Sequence, residues 1–169
     1  MSEPIRILHI IDSLRYGGAE TLLFELTSRL DVYGFRPIVL YCEPGPLVED
    51  FKNKKIPVMH LPWLARVDPL LLMRMYNAIR KEQPQIVHTH LFKSDFHGRL
   101  AARMAGVPVV VSTLHNCNAW AKNSLFGLTY GLTTRFADKI IAVADEVRDY
   151  AIRYLRIPSQ KLLTIPNAV

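Results

Sequence analysis

Short runs that are apolar almost from end to end recur along this chain, separated by segments whose apolar residues fall at helical spacing. The runs are Ile5–Ile11, Arg36–Tyr41, Pro57–Leu61, Gln85–His90, Val107–Leu114, Lys139–Val143 and Leu162–Ile165. A strand apolar on both sides has no face to give to water, so it belongs inside a parallel sheet covered above and below. Parallel neighbours need a crossover, normally a helix, and crossovers are right-handed. The expected fold is therefore α/β: a doubly wound, mostly parallel, Rossmann-like sheet of about seven strands with helices on both faces. At 169 residues one domain, 1–169, accounts for the chain.

The intervening helices carry start and stop signals. After Gly17-Gly18, the residues Ala19, Leu22, Leu23, Leu26 and Leu30 recur on one helical face, with Gly34 as the stop. Pro46–Lys54 has acidic residues early and lysines late, as the helix dipole prefers. Asp68-Pro69 predicts an N-cap and first helical residue for a helix to Lys81, and Ser94 predicts the cap of a helix stopping at Gly106. A loop and then a helix through Leu125, Leu128, Leu132 and Phe136 fill His115–Phe136, and Asp145–Tyr154 is the last helix.

In such a sheet ligands bind outside the carboxyl ends of the strands, so the residues just after each strand are the candidates. The first strand runs into Gly17-Gly18, where the missing Cβ atoms let a ligand approach and the following helix offers free N–H groups to a phosphate. A tight turn closing helix onto strand explains the pair equally simply. The dinucleotide fingerprint needs a third glycine in register and an acidic residue ending the second strand. Here the third glycine is missing and Glu43 is followed by Pro44, so a nicotinamide cofactor is not supported.

His88 and His90 share one face of the fourth strand. Two imidazoles can begin a metal site, but the sequence shows no third ligand, and no metal is expected. His88 reads as core and His90, at the strand's carboxyl end, as facing the cleft. His115 and Asn116 follow the valine-rich fifth strand, where a histidine can hydrogen-bond a sugar or phosphate or move a proton near neutral pH. His9 and His60 read as packing residues and His97 as a surface residue. Cys42 and Cys117 lack a nearby base that would make a nucleophile of either. Trp120, Leu125, Phe126, Leu128, Tyr130 and Leu132, flanked by Lys122 and Arg135, form an apolar-aromatic stretch. It suits core, an acceptor wall, or contact with the inner face of a membrane.

Composition narrows the partners. The net charge of +6 comes from scattered residues with no basic arm, which argues against nucleic acid. Two cysteines build no disulfide framework, no run reaches transmembrane length, and the first apolar run is too short for a signal peptide. The expectation is a cytoplasmic protein.

Taken together, several segments carry a resemblance. They are Ile7-Leu8-His9-Ile10 leading to Gly17-Gly18-Ala19-Glu20, Ile86-Val87-His88-Thr89-His90, Ser112-Thr113-Leu114-His115-Asn116, Ile140-Ile141-Ala142-Val143 and Ile165-Pro166-Asn167-Ala168-Val169. In this order the sequence resembles the N-terminal domain of group 1 (family 4) glycosyltransferases, which have the two-domain GT-B fold. The resemblance implies transfer of a sugar from a UDP- or GDP-sugar, the nucleotide left open, to a glycan or lipid-linked acceptor. It implies retention of configuration, no metal and no cofactor beyond the nucleotide-sugar co-substrate. It assigns His115 to the transferred sugar and Gly17 and Gly18 to the donor phosphates. Glu20, His90, Lys93, Asn116, Trp120 and Asp145 are left as acceptor or cleft residues. Two positions depart from the family pattern: Ala168 stands where glycine is common, and Ala144-Asp145 where serine is common. The donor-binding second domain would follow Val169, so 1–169 alone is expected to be inactive. The competing reading is a non-catalytic module that holds a glycan or an anion in the same cleft.

Overall fold

A computed structural model describes residues 3–64, 68, 70–119, 122 and 125–167. The strands are β1 (Ile5–Ser13), β2 (Phe35–Glu43), β3 (Val58–His60), β4 (Ile86–His90), β5 (Val109–Leu114), β6 (Lys139–Ala142) and β7 (Leu162–Thr164). They form one sheet in the order β3-β2-β1-β4-β5-β6-β7, and every adjacent pair is parallel. The order reverses direction between β1 and β4, so the crevice at their carboxyl ends is the natural ligand position.

The helices are α1 (Gly18–Thr27), α2 (Leu47–Asn53), α3 (Leu71–Glu82), α4 (Phe92–Met104), α5 (Leu125–Thr133) and α6 (Asp145–Tyr154). Even-numbered β1 residues Leu8 and Ile10 face α3 and α4 in a core that continues through Val87, Val110, Ile140, Tyr130 and Tyr150. Ile11, Val39 and Tyr41 face α1 and α2 in a smaller core around Leu23 and Phe51. Helices thus cover both faces, though unequally. On the α1 side Val109, Leu163 and Ile165 remain exposed, and Leu26 of α1 is exposed beside them.

Three local expectations change. α1 ends at Thr27, and Gly34 (φ 78°) instead closes a short 3₁₀ turn at Asp31–Tyr33. α3 starts at Leu71, and Asp68 accepts from the backbone N–H groups of Leu64 and Leu70 and pairs with Arg74, holding the turn that leads into the helix; Pro69 lies outside the described residues. α4 starts at Phe92, so Ser94 is inside the first turn and buried rather than its cap. Leu91 takes a φ of 67°, a positive value uncommon for a leucine, where the chain turns from β4 into α4.

α5 lies against the end of α6 at Gly131, where a Cβ would sit 2.0 Å from the Leu155 carbonyl oxygen. Backbone cannot yield as a side-chain tip can. Gly131→Ala should therefore cost about 1–3 kcal/mol in urea unfolding, the usual range for overpacking. A change under 0.5 kcal/mol, on the same scale of surface substitutions, would show that α5 shifts freely.

Candidate functional site

A cleft of about 220 Å³ opens at the carboxyl ends of β1, β4 and β5. Asp12, Leu91, Phe92, His115, Asn116, Asn118, Tyr130 and Tyr150 are among the residues lining it. His115 and Asn116 are therefore where the sequence places them, immediately after β5 and on the wall. Burial lowers the affinity of His115 for a proton to a pKa of about 4, so its ring is neutral at physiological pH. A neutral imidazole can donate one hydrogen bond and accept another.

Asp12 falls among the residues at the end of the first strand that the sequence marks as candidates, but the sequence gives it no role. It accepts hydrogen bonds from the Ser94 N–H (2.7 Å), the Ser94 hydroxyl (2.6 Å) and the Lys93 N–H (3.3 Å), so it caps α4 from the neighbouring strand. Burial raises its pKa to about 6 against the opposing pull of these bonds. Its position just beyond the apolar part of β1, at the switch point, was the available signal.

Below the cleft lies a closed polar network. Arg99 is fully buried and pairs with Asp95 at 3.2 Å; its Nε, Nη1 and Nη2 donate to Ser112 Oγ (2.7 Å), Thr133 Oγ1 (3.2 Å) and Tyr130 Oη (3.0 Å). Asp95 also accepts from the Thr89 hydroxyl at 2.5 Å and from Tyr130 Oη. Asp95 and Tyr130 line the cleft, so this network fixes its floor.

The other candidates divide. Gly17 and Gly18 form the N-cap and first residue of α1, close after β1. Neither uses left-handed backbone, and a Cβ on Gly18 would meet nothing within 4 Å. Packing does not demand glycine at 18; the surface there is open. Glu20 is buried and accepts a hydrogen bond from Ser13 Oγ at 2.8 Å, closing the loop that carries both glycines. Lys93 is exposed, with its ammonium 4.6 Å from the centre of the Trp63 ring. Asp145 is exposed at the first position of α6. Trp120 lies outside the described residues.

The reading of His88 as core and His90 as cleft-facing is corrected. His90 is buried and is not among the described residues lining the cleft; it touches the cleft wall through His115, with His90 Nδ1 and His115 Nε2 at 3.2 Å. Both His88 and His90 line a second, mainly apolar groove of about 200 Å³ with Leu22, Leu26, Ile141 and Val143. The expectation that no third ligand lies near them also fails. Parallel pairing sets His9 of β1 directly beside His88, and one ring nitrogen from each of His9, His88 and His90 lies within 4.8 Å of the others. His60, in contrast, is a packing residue stacked on Tyr41. Cys42 is buried, which pushes its thiol up to about 12 and leaves it inert.

A doubly wound parallel sheet with a polar cleft at its switch point defines a ligand-binding α/β domain of the Rossmann-like class. The sequence model of Glycosyltransferase Family 4 matches residues 16–169. The chain belongs to glycosyltransferase family 4. It is 35% identical over 175 residues to an Escherichia coli UDP-Gal:alpha-D-GlcNAc-diphosphoundecaprenol alpha-1,3-galactosyltransferase, covering 98% of this chain and 45% of that protein. Among solved structures it is similar to Anabaena Alr3699/HepE in complex with UDP (TM-score 0.82, 19% identity, 98% of this chain and 44% of that one). It is also similar to a glycosyltransferase from Rickettsia africae (TM-score 0.75, 22% identity, 99% and 44%). The chain thus spans under half the length of the relatives it matches, and the structural likenesses speak for the fold alone. No helix among the described residues is long and apolar enough to cross a membrane.

Proposed function

We propose that this domain forms the acceptor-side wall of an enzyme that moves a hexose from a UDP-sugar to a lipid-diphosphate-linked acceptor. The observation that carries the reading is His115 on the wall of the switch-point cleft in a chain of family 4; the open position at Gly18, at the start of the helix after β1, supports it. The name of the E. coli relative, which specifies UDP-galactose and a diphosphoundecaprenol acceptor, supports both substrate classes. His115 would hydrogen-bond the transferred sugar, and the free N–H groups at the start of α1 would meet the departing diphosphate. Retention of anomeric configuration and transfer without an ion at the reacting centre belong to the same proposal. The domain that binds most of the donor would lie beyond residue 169.

The test uses the complete enzyme. His115→Ala should lower kcat by about 100-fold or more, the usual cost of losing one group that serves the transition state. Gly18→Val should raise the donor KM with little loss of stability, because its Cβ points into open space. Normal turnover in His115→Ala would remove that residue from the mechanism. NMR assignment of the product anomer checks retention.

A lipid-linked acceptor also gives α5 a role. Leu125, Leu128 and Leu132 are exposed along one side of it, while Tyr130 and Thr133 face inward, so this part of the stripe is not core. Peripheral contact with an anionic membrane through these leucines, with Arg135 alongside, follows from the proposal. Leu128→Glu with Leu132→Glu should reduce cosedimentation with phosphatidylglycerol vesicles about tenfold, from lost apolar burial and added repulsion. Equal binding by wild type and variant would place the membrane elsewhere.

A further inference from the structure

The geometry points to a three-histidine site for a single borderline transition-metal ion of the zinc class, formed by His9, His88 and His90. Nothing in the sugar-transfer reading requires it, and its test does not depend on transfer. The site follows from register. β1 and β4 pair so that His9 lies beside His88 and Ile11 beside His90, which gathers three imidazoles on one face of two neighbouring strands. Their ring centroids lie 4.2 to 5.6 Å apart.

Buried imidazoles in mutual contact have few ways to satisfy their nitrogens. His9 Nδ1 faces His90 Nε2 at 3.3 Å. A nitrogen–nitrogen separation of 3.3 Å is long for a hydrogen bond. It matches the edge of a tetrahedron around an ion with Zn–N bonds of about 2.0–2.1 Å, which is roughly 3.3 Å. The 4.8 Å envelope of the three ligand atoms needs only a modest closing of the rings to reach that geometry. Burial keeps all three rings unprotonated, the form that ligates. An all-imidazole donor set suits zinc, cobalt, nickel or copper and not the oxygen-seeking magnesium or calcium.

The surroundings resemble those of a working site. His88 Nε2 meets Thr113 Oγ1 at 2.8 Å and His90 Nδ1 meets His115 Nε2 at 3.2 Å, the outer partners that orient metal-bound imidazoles. With an ion on His90 Nε2, the proton of that ring sits on Nδ1 and is donated to His115. The ion then fixes the tautomer of the cleft histidine from behind the wall. The apolar groove beside His88 and His90 provides the entry path and room for a fourth ligand.

The chelator-treated protein is titrated with Co²⁺, followed by visible absorption and competed with Zn²⁺. One equivalent of Co²⁺ with a d–d band of tetrahedral intensity is expected. His9→Gln and His88→Gln should each weaken uptake at least about 100-fold, more than the loss of an outer partner. His60→Ala and His97→Ala should leave it unchanged. No band with Co²⁺ in large excess, or equal uptake by the glutamine variants, would overturn the site. If the glutamine variants do not fold, NMR on the wild-type protein decides. Paramagnetic shifts on the His9, His88 and His90 rings support the site, and shifts confined to His60 or His97 refute it.

Discussion

Replacing Arg99 by methionine should destabilise the domain by about 3–5 kcal/mol, the cost of breaking a buried ion pair from one side. Against a total stability of about 5–15 kcal/mol for domains of this kind, that is enough to unfold a large share of the protein at moderate temperature. Both Arg99 and Asp95 are within 1% of complete burial. Burial raises the pKa of the Asp95 carboxyl while Arg99 pulls it back. The methionine fills the aliphatic space but leaves Asp95 without its counter-charge and removes the donor to the hydroxyls of Ser112, Thr133 and Tyr130. A second substitution separates charge from packing. Asp95→Asn combined with Arg99→Met should cost less than the sum of the single changes, because the uncompensated charge is then gone. Urea unfolding at neutral pH measures all three variants. A loss below 1 kcal/mol in Arg99→Met would mean that the pair contributes little beyond its desolvation cost. Because Asp95 and Tyr130 form the cleft floor, the same variants should loosen the site in any folded fraction.

That network was hidden in the sequence for a definite reason. Asp95 and Arg99 are spaced i,i+4 on a helix, which ordinarily signals a solvated surface pair. Their burial depends on Ser112, Tyr130 and Thr133 arriving from β5 and α5, and periodicity within α4 carries no information about those. The alternation of strands and helices was legible because most of the inner strands are rich in apolar residues on both faces, a pattern that little else produces. Residues after the strands were legible for the same reason, which is how His115 and Asn116 were found. His9 was not: its closeness to His88 rests on β1 pairing with β4, although β2 and β3 intervene in the chain. Ser94 looked like a cap by residue type, yet it lies within the first turn of α4, and Asp12 on another strand caps that helix.

Acid should unfold this protein early. In chelator, the stability measured by urea unfolding is expected to fall steeply as pH drops from about 6.5 to 5, the range in which unfolded histidines take up protons. Burial holds His88 at a pKa of about 3, with the His115 nearby adding to the effect, and burial alone holds His115 at about 4. Burial, reinforced by neighbouring histidines, also holds His9 and His90 well below the usual value. Each folded pKa is depressed, so each contribution is complete above the unfolded value of about 6.5. It erodes as pH falls toward the folded value, because only the unfolded chain binds the proton in that window. By pH 5 the loss is on the order of 2 kcal/mol for each of His88 and His115, and His9 and His90 act in the same direction. Asp12 works in the opposite direction: its folded pKa of about 6 lies above the ordinary carboxylate value, so protonation there returns stability over the same range. One such carboxyl gives back on the order of 1 kcal/mol, which His88 and His115 alone outweigh. His60→Ala should keep the full pH dependence, since His60 stacks on Tyr41 outside the cluster. His88→Gln should flatten it by about one proton. A stability that stays level between pH 7 and 5 would mean that water or a counter-charge reaches these rings in the folded protein.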